Sequence, residues 1–144
     1  MKNLLYFIVL ISSANLMSQN WQTNFDEAVK KASVEHKNII LVFSGSDWCA
    51  PCIKLDKNVW QSDTFINYSK EHWILYKADF PRKKSNKLSK KMEQKNAVLA
   101  EKYNKNGMFP LVLLLDYEGH VLGVTGFQNV TPQEYIEIIK GFES

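Results

Sequence analysis

The seven residues from Asn38 to Ser44 (NIILVFS) form a continuous apolar run, and the chain's two cysteines follow it closely, at 49 and 52. A short run of this kind is the pattern of a strand buried on both faces. Burial on both faces requires a layer of structure on each side of a sheet. Trp73 to Asp79 (WILYKAD) and Pro110 to Asp116 (PLVLLLD) read as further buried strands. Helical patterns separate them. Thr23 to Lys37 carries Phe25, Ala28, Val29 and Ala32 as an apolar stripe. Thr23 is placed to cap it, with Asp26 and Glu27 in its first turn. A second helix is expected to begin near Ala50, with a short helical stretch at Thr64 to Ser69 and another helix from Ala97 to Tyr103. Asp116 to Gly119 reads as a turn, with His120 to Gly126 as its hairpin partner. Thr131-Pro132-Gln133-Glu134 opens a last helix with a capping box and Pro at the first helical position. The order implies an α/β fold, a central mixed β-sheet flanked by helices on both faces. The last two strands are expected to be antiparallel, and those joined by helical crossovers parallel.

The N-terminus reads as a separate segment. Lys2 precedes the apolar run Leu4 to Ile11, and Ser12, Ser13 and Ala14 follow. This is the layout of a secretory signal peptide, expected over 1–18 and followed by one domain over 19–144. The run falls short of the roughly 20 apolar residues that span a bilayer. A short membrane anchor or a buried strand is the alternative. The reading implies an exported protein, periplasmic or secreted, with no stable membrane insertion after cleavage. A formal net charge of +3 is too small to imply a nucleic-acid partner. The basic residues are nevertheless clustered. Residues 82–95 hold Arg82 and six lysines against one acid, Glu93. The stretch reads as a solvated, partly helical insertion dispensable for folding. A docking surface for an acidic partner is the alternative.

Exported proteins meet oxidising conditions, where cysteines commonly staple a fold. Cys49 and Cys52 enclose only Ala50 and Pro51, and a bridge closing so short a loop stabilises little. Their position between a buried strand and a helix start points to redox chemistry instead. Unpaired N–H groups at a helix N-terminus favour a thiolate, which makes Cys49 the nucleophile and the more exposed of the pair. Cys52, further into the helix, then resolves the mixed disulfide. Half a zinc site is the competing reading. Structural zinc takes four ligands, and none of His36, His72 and His120 has ligand-pair spacing to the cysteines. No cofactor and no metal is therefore expected.

FSGSDWCAPC at 43–52, YKAD at 76–79, NAVLAEKYNKNGMFP at 96–110 and LVLLLDYEGHVLGVTGF at 111–127 carry a resemblance. Over residues 21–142 the chain resembles the thioredoxin superfamily, especially its bacterial exported members. The resemblance implies a thioredoxin fold and a thiol–disulfide oxidoreductase acting on disulfide-containing or thiol proteins. It implies a cis Pro110 beside the cysteines, and a substrate groove formed by Trp48, Ala50, Pro51, Phe109 and Pro110. Two positions depart from the family. Thioredoxin carries a buried Asp six residues before the first cysteine, where this chain has Phe43. Asp56, one turn beyond Cys52, is a candidate replacement, with an exposed helix acid as the other reading. Phe109 stands where many members carry Thr or Ile. Oxidising members resemble one another in a His inside the C-x-x-C loop. The uncharged Ala50-Pro51 loop here implies a reductant or mild isomerase, recharged by a membrane electron donor. A binding or holdase module using the same groove without turnover is the alternative.

Overall fold

The computed structural model describes residues 20–144, so the expected signal peptide lies outside the described residues. The chain runs β1 (Trp21–Gln22), α1 (Phe25–Glu35), β2 (Asn38–Ser44) and α2 (Ala50–Leu55), and α2 continues directly into a π-helical turn, Asp56–Trp60. There follow α3 (Asp63–His72), β3 (Trp73–Asp79), a 3-10 turn at Lys84–Asn86, α4 (Lys90–Tyr103), β4 (Leu111–Leu115), β5 (Val121–Thr125) and α5 (Pro132–Lys140). The strands form one mixed sheet in the order β1-β3-β2-β4-β5.

The central position of β2 explains its apolar run, since alternate residues feed two cores. Ile40 and Val42 face a core that includes Trp60, Phe65, Trp73, Tyr135 and Ile136. Ile39, Leu41 and Phe43 face the other, with Ala28 and Ala32 of α1 and Leu99 of α4. Helices thus cover both faces of the sheet. Trp60 and Trp73 are core residues, and the half-buried Trp21 packs edge-on against Trp60.

Three sequence expectations need correction. Asn24, not Thr23, caps α1, its side-chain oxygen accepting from the Asp26 N–H at 3.0 Å. Both residue types cap well, and the helix simply starts one residue later. α4 begins seven residues before the expected Ala97, because Ser89 supplies a cap, accepting from the Met92 N–H at 3.2 Å. The basic stretch therefore divides. Residues 82–89 form an exposed connection, and Lys90–Lys95 is the first half of a packed helix. Third, β4 runs antiparallel to β2 despite the helix that precedes it. The Tyr103 hydroxyl donates to the Gly119 carbonyl in the β4–β5 turn at 2.8 Å, which places the end of α4 at the far end of β4. Residues 104–109 form a compact loop, in which the Asn104 side chain accepts from the Met108 N–H and donates to the Met108 carbonyl, both at 2.9 Å. Leu111 then pairs with Phe43, which pairs on its other side with Ala78, so β4 starts at the end of the sheet where β3 finishes.

Candidate active site

The reactive turn grows out of the C-terminal end of β2. The Gly45 carbonyl accepts from the N–H groups of Trp48 and Cys49 at 3.2 and 2.9 Å, which folds the chain back over itself. A Cβ on Gly45 would lie 2.3 Å from the Trp48 indole, so this close approach requires glycine. The turn delivers Cys49 as the N-cap of α2, in extended conformation, with its sulfur accepting from the Cys52 N–H at 3.3 Å. Pro51 occupies the first turn, where its missing N–H costs no helical hydrogen bond. Cys49 and Cys52 are joined in a disulfide with Cα atoms 5.2 Å apart. Its exposure differs from the expected asymmetry. Cys49 is 5% exposed and Cys52 3%, so both are buried in the oxidised state, while Ala50 and Pro51 form the exposed rim. The two sulfurs differ instead in surroundings. Cys49 stands at the helix start, while Cys52 accepts a longer bond from the Gly45 N–H at 3.5 Å and faces inward.

The antiparallel course of β4 brings a second segment to this end of the sheet. Leu111 pairs with Phe43, two residues before Gly45. The Phe109–Pro110 peptide bond is cis, and Pro110 is buried. Phe109 meets the Trp48 ring edge-on at 5.4 Å and the Phe80 ring at 5.5 Å. Trp48 is fixed in turn by its indole N–H, which donates to the Phe80 carbonyl at 2.7 Å. The structure therefore gathers Trp48, Cys49, Phe109 and Pro110 at one end of the sheet and adds Phe80, which nothing in the sequence singled out.

Phe43 is fully buried among apolar residues, so no acid approaches the cysteines from that position. Asp56 takes another route to Cys52. It lies one turn further along the helix, and its carboxylate accepts from Lys77 of β3 at 2.7 Å and from the Gln61 amide. Cys52, Asp56, Lys77, Ser44, Ser46 and Ile53 line a common cavity of about 120 Å³, roomy enough for water. Lys77 was legible in principle, as the one charge inside an apolar strand run. A larger groove, about 360 Å³, lies between α1 and α4, but its lining holds no cysteine or histidine. Among the described residues the cysteines join no metal-ligand cluster.

A third segment completes the rim. Asp79 at the end of β3 accepts from the Ser46 N–H at 3.0 Å and from its hydroxyl. Asp47 accepts from the N–H groups of Arg82 and Lys83 at 2.9 and 3.0 Å, and from the Asn86 amide at 3.0 Å. These bonds, the Arg82 N–H foremost, hold the Asp47 carboxyl below its ordinary pKa.

A family model described as a thioredoxin-like domain matches residues 25–142. The chain belongs to the thioredoxin-like family. It is 35% identical over 130 residues to the disulfide bond reductase DsbH of Chlamydia pneumoniae, covering 90% of this chain and 74% of that protein. A solved structure of a DsbH oxidoreductase superimposes with a TM-score of 0.79 at 32% identity, over 92% of this chain and 91% of its own. The thioredoxin-related protein DsbJ of the same organism is 26% identical over 77% of this chain, which spans 31% of that longer protein. Family membership and the Cys49–Cys52 pair together identify a thiol–disulfide oxidoreductase of thioredoxin fold.

Proposed function

We propose that this thioredoxin-like protein works as an exported reductant of protein disulfides, with Cys49 as nucleophile and Cys52 as resolving thiol. The observation that carries the direction is the environment of the Cys49 sulfur. It receives one backbone N–H, from Cys52 in the first turn of α2, while Ala50 and Pro51 contribute no charge and no side-chain donor. The thiolate is favoured by the helix start but not heavily, and a strong oxidant needs a heavily stabilised reduced form. The similarity to a protein named a disulfide bond reductase supports the same direction.

In the reduced protein the Cys49 thiolate attacks one sulfur of a substrate disulfide, and the other substrate sulfur leaves as a thiolate. Trp48, Ala50, Pro51, Phe109 and Pro110 form the groove that holds the substrate backbone. The Cys52 thiol then loses its proton through the cavity to Asp56. Its thiolate attacks the Cys49 sulfur, and the second substrate thiolate departs. The product has gained two electrons and, after protonation, two protons. The protein is left as the disulfide seen here, and a membrane electron donor returns the two electrons. The apolar segment over 4–11 supports export. Among the described residues no helix is long and apolar enough to cross a membrane.

Equilibration with glutathione tests the direction. A potential between about −180 and −270 mV is expected, the range of isomerase and thioredoxin sites. A value near −120 mV, that of the strongest oxidants, would overturn the reductant reading.

A further inference from the structure

Residues 82–87 lie on the rim of the active site, and the way they are held there leaves their charges facing outward. Arg82, Lys83, Lys84 and Lys87 are all exposed. The segment is fixed by Asp47, two residues before Cys49, which binds the main chain at Arg82 and Lys83 and the side chain of Asn86. The carboxylate is thereby consumed by N–H donors. Only Lys83 lends it appreciable charge attraction. The second acid of the rim, Asp79, is likewise consumed by Ser46. Among the described residues none of the four cations forms a salt bridge. The Arg82 guanidinium instead lies over the Trp48 ring, its Cζ 3.7 Å from the ring centroid. Trp48 in turn meets Phe109, beside the cis proline. The cationic segment is thus continuous with the groove rather than a distant patch.

We propose that this rim recognises acidic side chains flanking the cysteine of a substrate protein, so that the substrate class is a disulfide set in a negatively charged segment. The proposal rests on the oxidoreductase reading above. A substrate backbone held at Trp48 and Phe109 would carry its neighbouring residues across Arg82 and toward Lys83, Lys84 and Lys87. Arg presents a planar fork suited to a carboxylate and is already ordered by its stacking on Trp48. Lysines on a loop add a field that steers encounter and weakens with salt. An anionic membrane surface would also be drawn to these charges. It would not require them to be fixed against the peptide groove, which is why a peptide is favoured.

Reduction of three substrates by the reduced protein tests this. Two are disulfide peptides alike except for flanks of Asp and Glu or of Lys and Arg. The third is neutral 2-hydroxyethyl disulfide. At low ionic strength the acidic peptide is expected to be reduced with kcat/KM about tenfold above the basic one, a size fitting a few exposed charge pairs. The preference should fall toward unity at 0.5 M salt, where the Debye length has contracted from about 30 Å in 0.01 M buffer to about 4 Å. It should vanish or reverse in the triple variant K83E/K84E/K87E, whose rate with 2-hydroxyethyl disulfide reports that the site is intact. Equal rates with both peptides in the wild-type protein would overturn the proposal, whether or not the triple variant folds. So would binding to phosphatidylglycerol vesicles accompanied by no peptide preference, which would assign the charges to a membrane surface. Failure to turn over any of the three substrates would overturn the oxidoreductase reading and this proposal with it.

Discussion

Cys49 and Cys52 are chemically the same residue in nearly the same degree of burial, so their different roles must come from backbone geometry. Cys49 caps the helix, where N–H groups converge, and Cys52 borders the Asp56–Lys77 cavity. In the reduced protein, iodoacetamide at about pH 6 is therefore expected to label Cys49 first, since the N–H groups of the helix start favour a thiolate there. Cys52→Ser should accumulate a mixed disulfide with substrate. Preferential labelling of Cys52 would reverse the assignment. The same geometry gives Asp56 a task. Asp56→Asn is expected to slow substrate release roughly a hundredfold near neutral pH, the low end of general-base effects. Higher pH should restore the rate as Cys52 ionises unaided. An unchanged pH profile would reduce Asp56 to a surface ion pair with Lys77. Sequence reading reached Asp56 through its spacing from Cys52. The charge of Lys77 inside its apolar run marks it as unusual, but only the parallel pairing of β3 with β2 sets that lysine beside the same cavity.

At the level of elements, the parts most legible in the sequence were those whose burial writes itself as an apolar run. β2, β3 and the core of β4 fall where the runs Asn38–Ser44, Trp73–Asp79 and Pro110–Asp116 put them. β1 escaped notice because two residues make no pattern. The first half of α4 was hidden because its exposed face is lysine-rich and its buried contacts are polar. Asn96 is buried, accepting from the Tyr76 hydroxyl at 2.9 Å and donating to the Asp79 carbonyl at 3.1 Å. Asn96→Ala would strand both partners, and a loss of about 1–3 kcal/mol is expected from denaturant unfolding. A change within a few tenths of a kcal/mol would show that water replaces the amide freely. The connection at 82–89 carries a different signature. The Asp47 carboxyl is depressed in the folded state, so its contribution is present above its unfolded value of 3.8 and lost as pH falls through the lower folded value. The stability gap between wild type and Asp47→Asn should be open at pH 7 and narrow as the pH falls below 3.8. A gap that stays constant over that range would mean the hydrogen bonds, not the charge, hold the segment.

Across the whole molecule, one sheet serves two cores, and neighbouring residues of one strand belong to different ones. Leu113 and Leu114 are both buried, the first in the layer under α1 and α4, the second in the layer under α3 and α5. Leu113→Ala and Leu114→Ala are each expected to cost about 2–5 kcal/mol. Because the layers share β2, β3 and β4, each variant should unfold in a single transition by both far-UV and tryptophan signals. Separate midpoints would show that the layers melt independently. The direction of β4 was the global feature that local patterns could not supply, since a helix before a strand more often ends in a parallel neighbour. Yet this reversal is what seats Pro110 at the cysteine end.

That reversal also sets when the protein becomes competent. The groove draws on residues 45–52, on 79–86 and on 109–111, and its last contributor joins only when Leu111 pairs with Phe43. Until the nascent chain has grown past that point and folded, Cys49 and Cys52 are two ordinary thiols on an open chain. They can be oxidised or can cross-link, but have no surface on which to choose a partner. Selectivity in this protein therefore arrives late and all at once, as a by-product of closing the sheet.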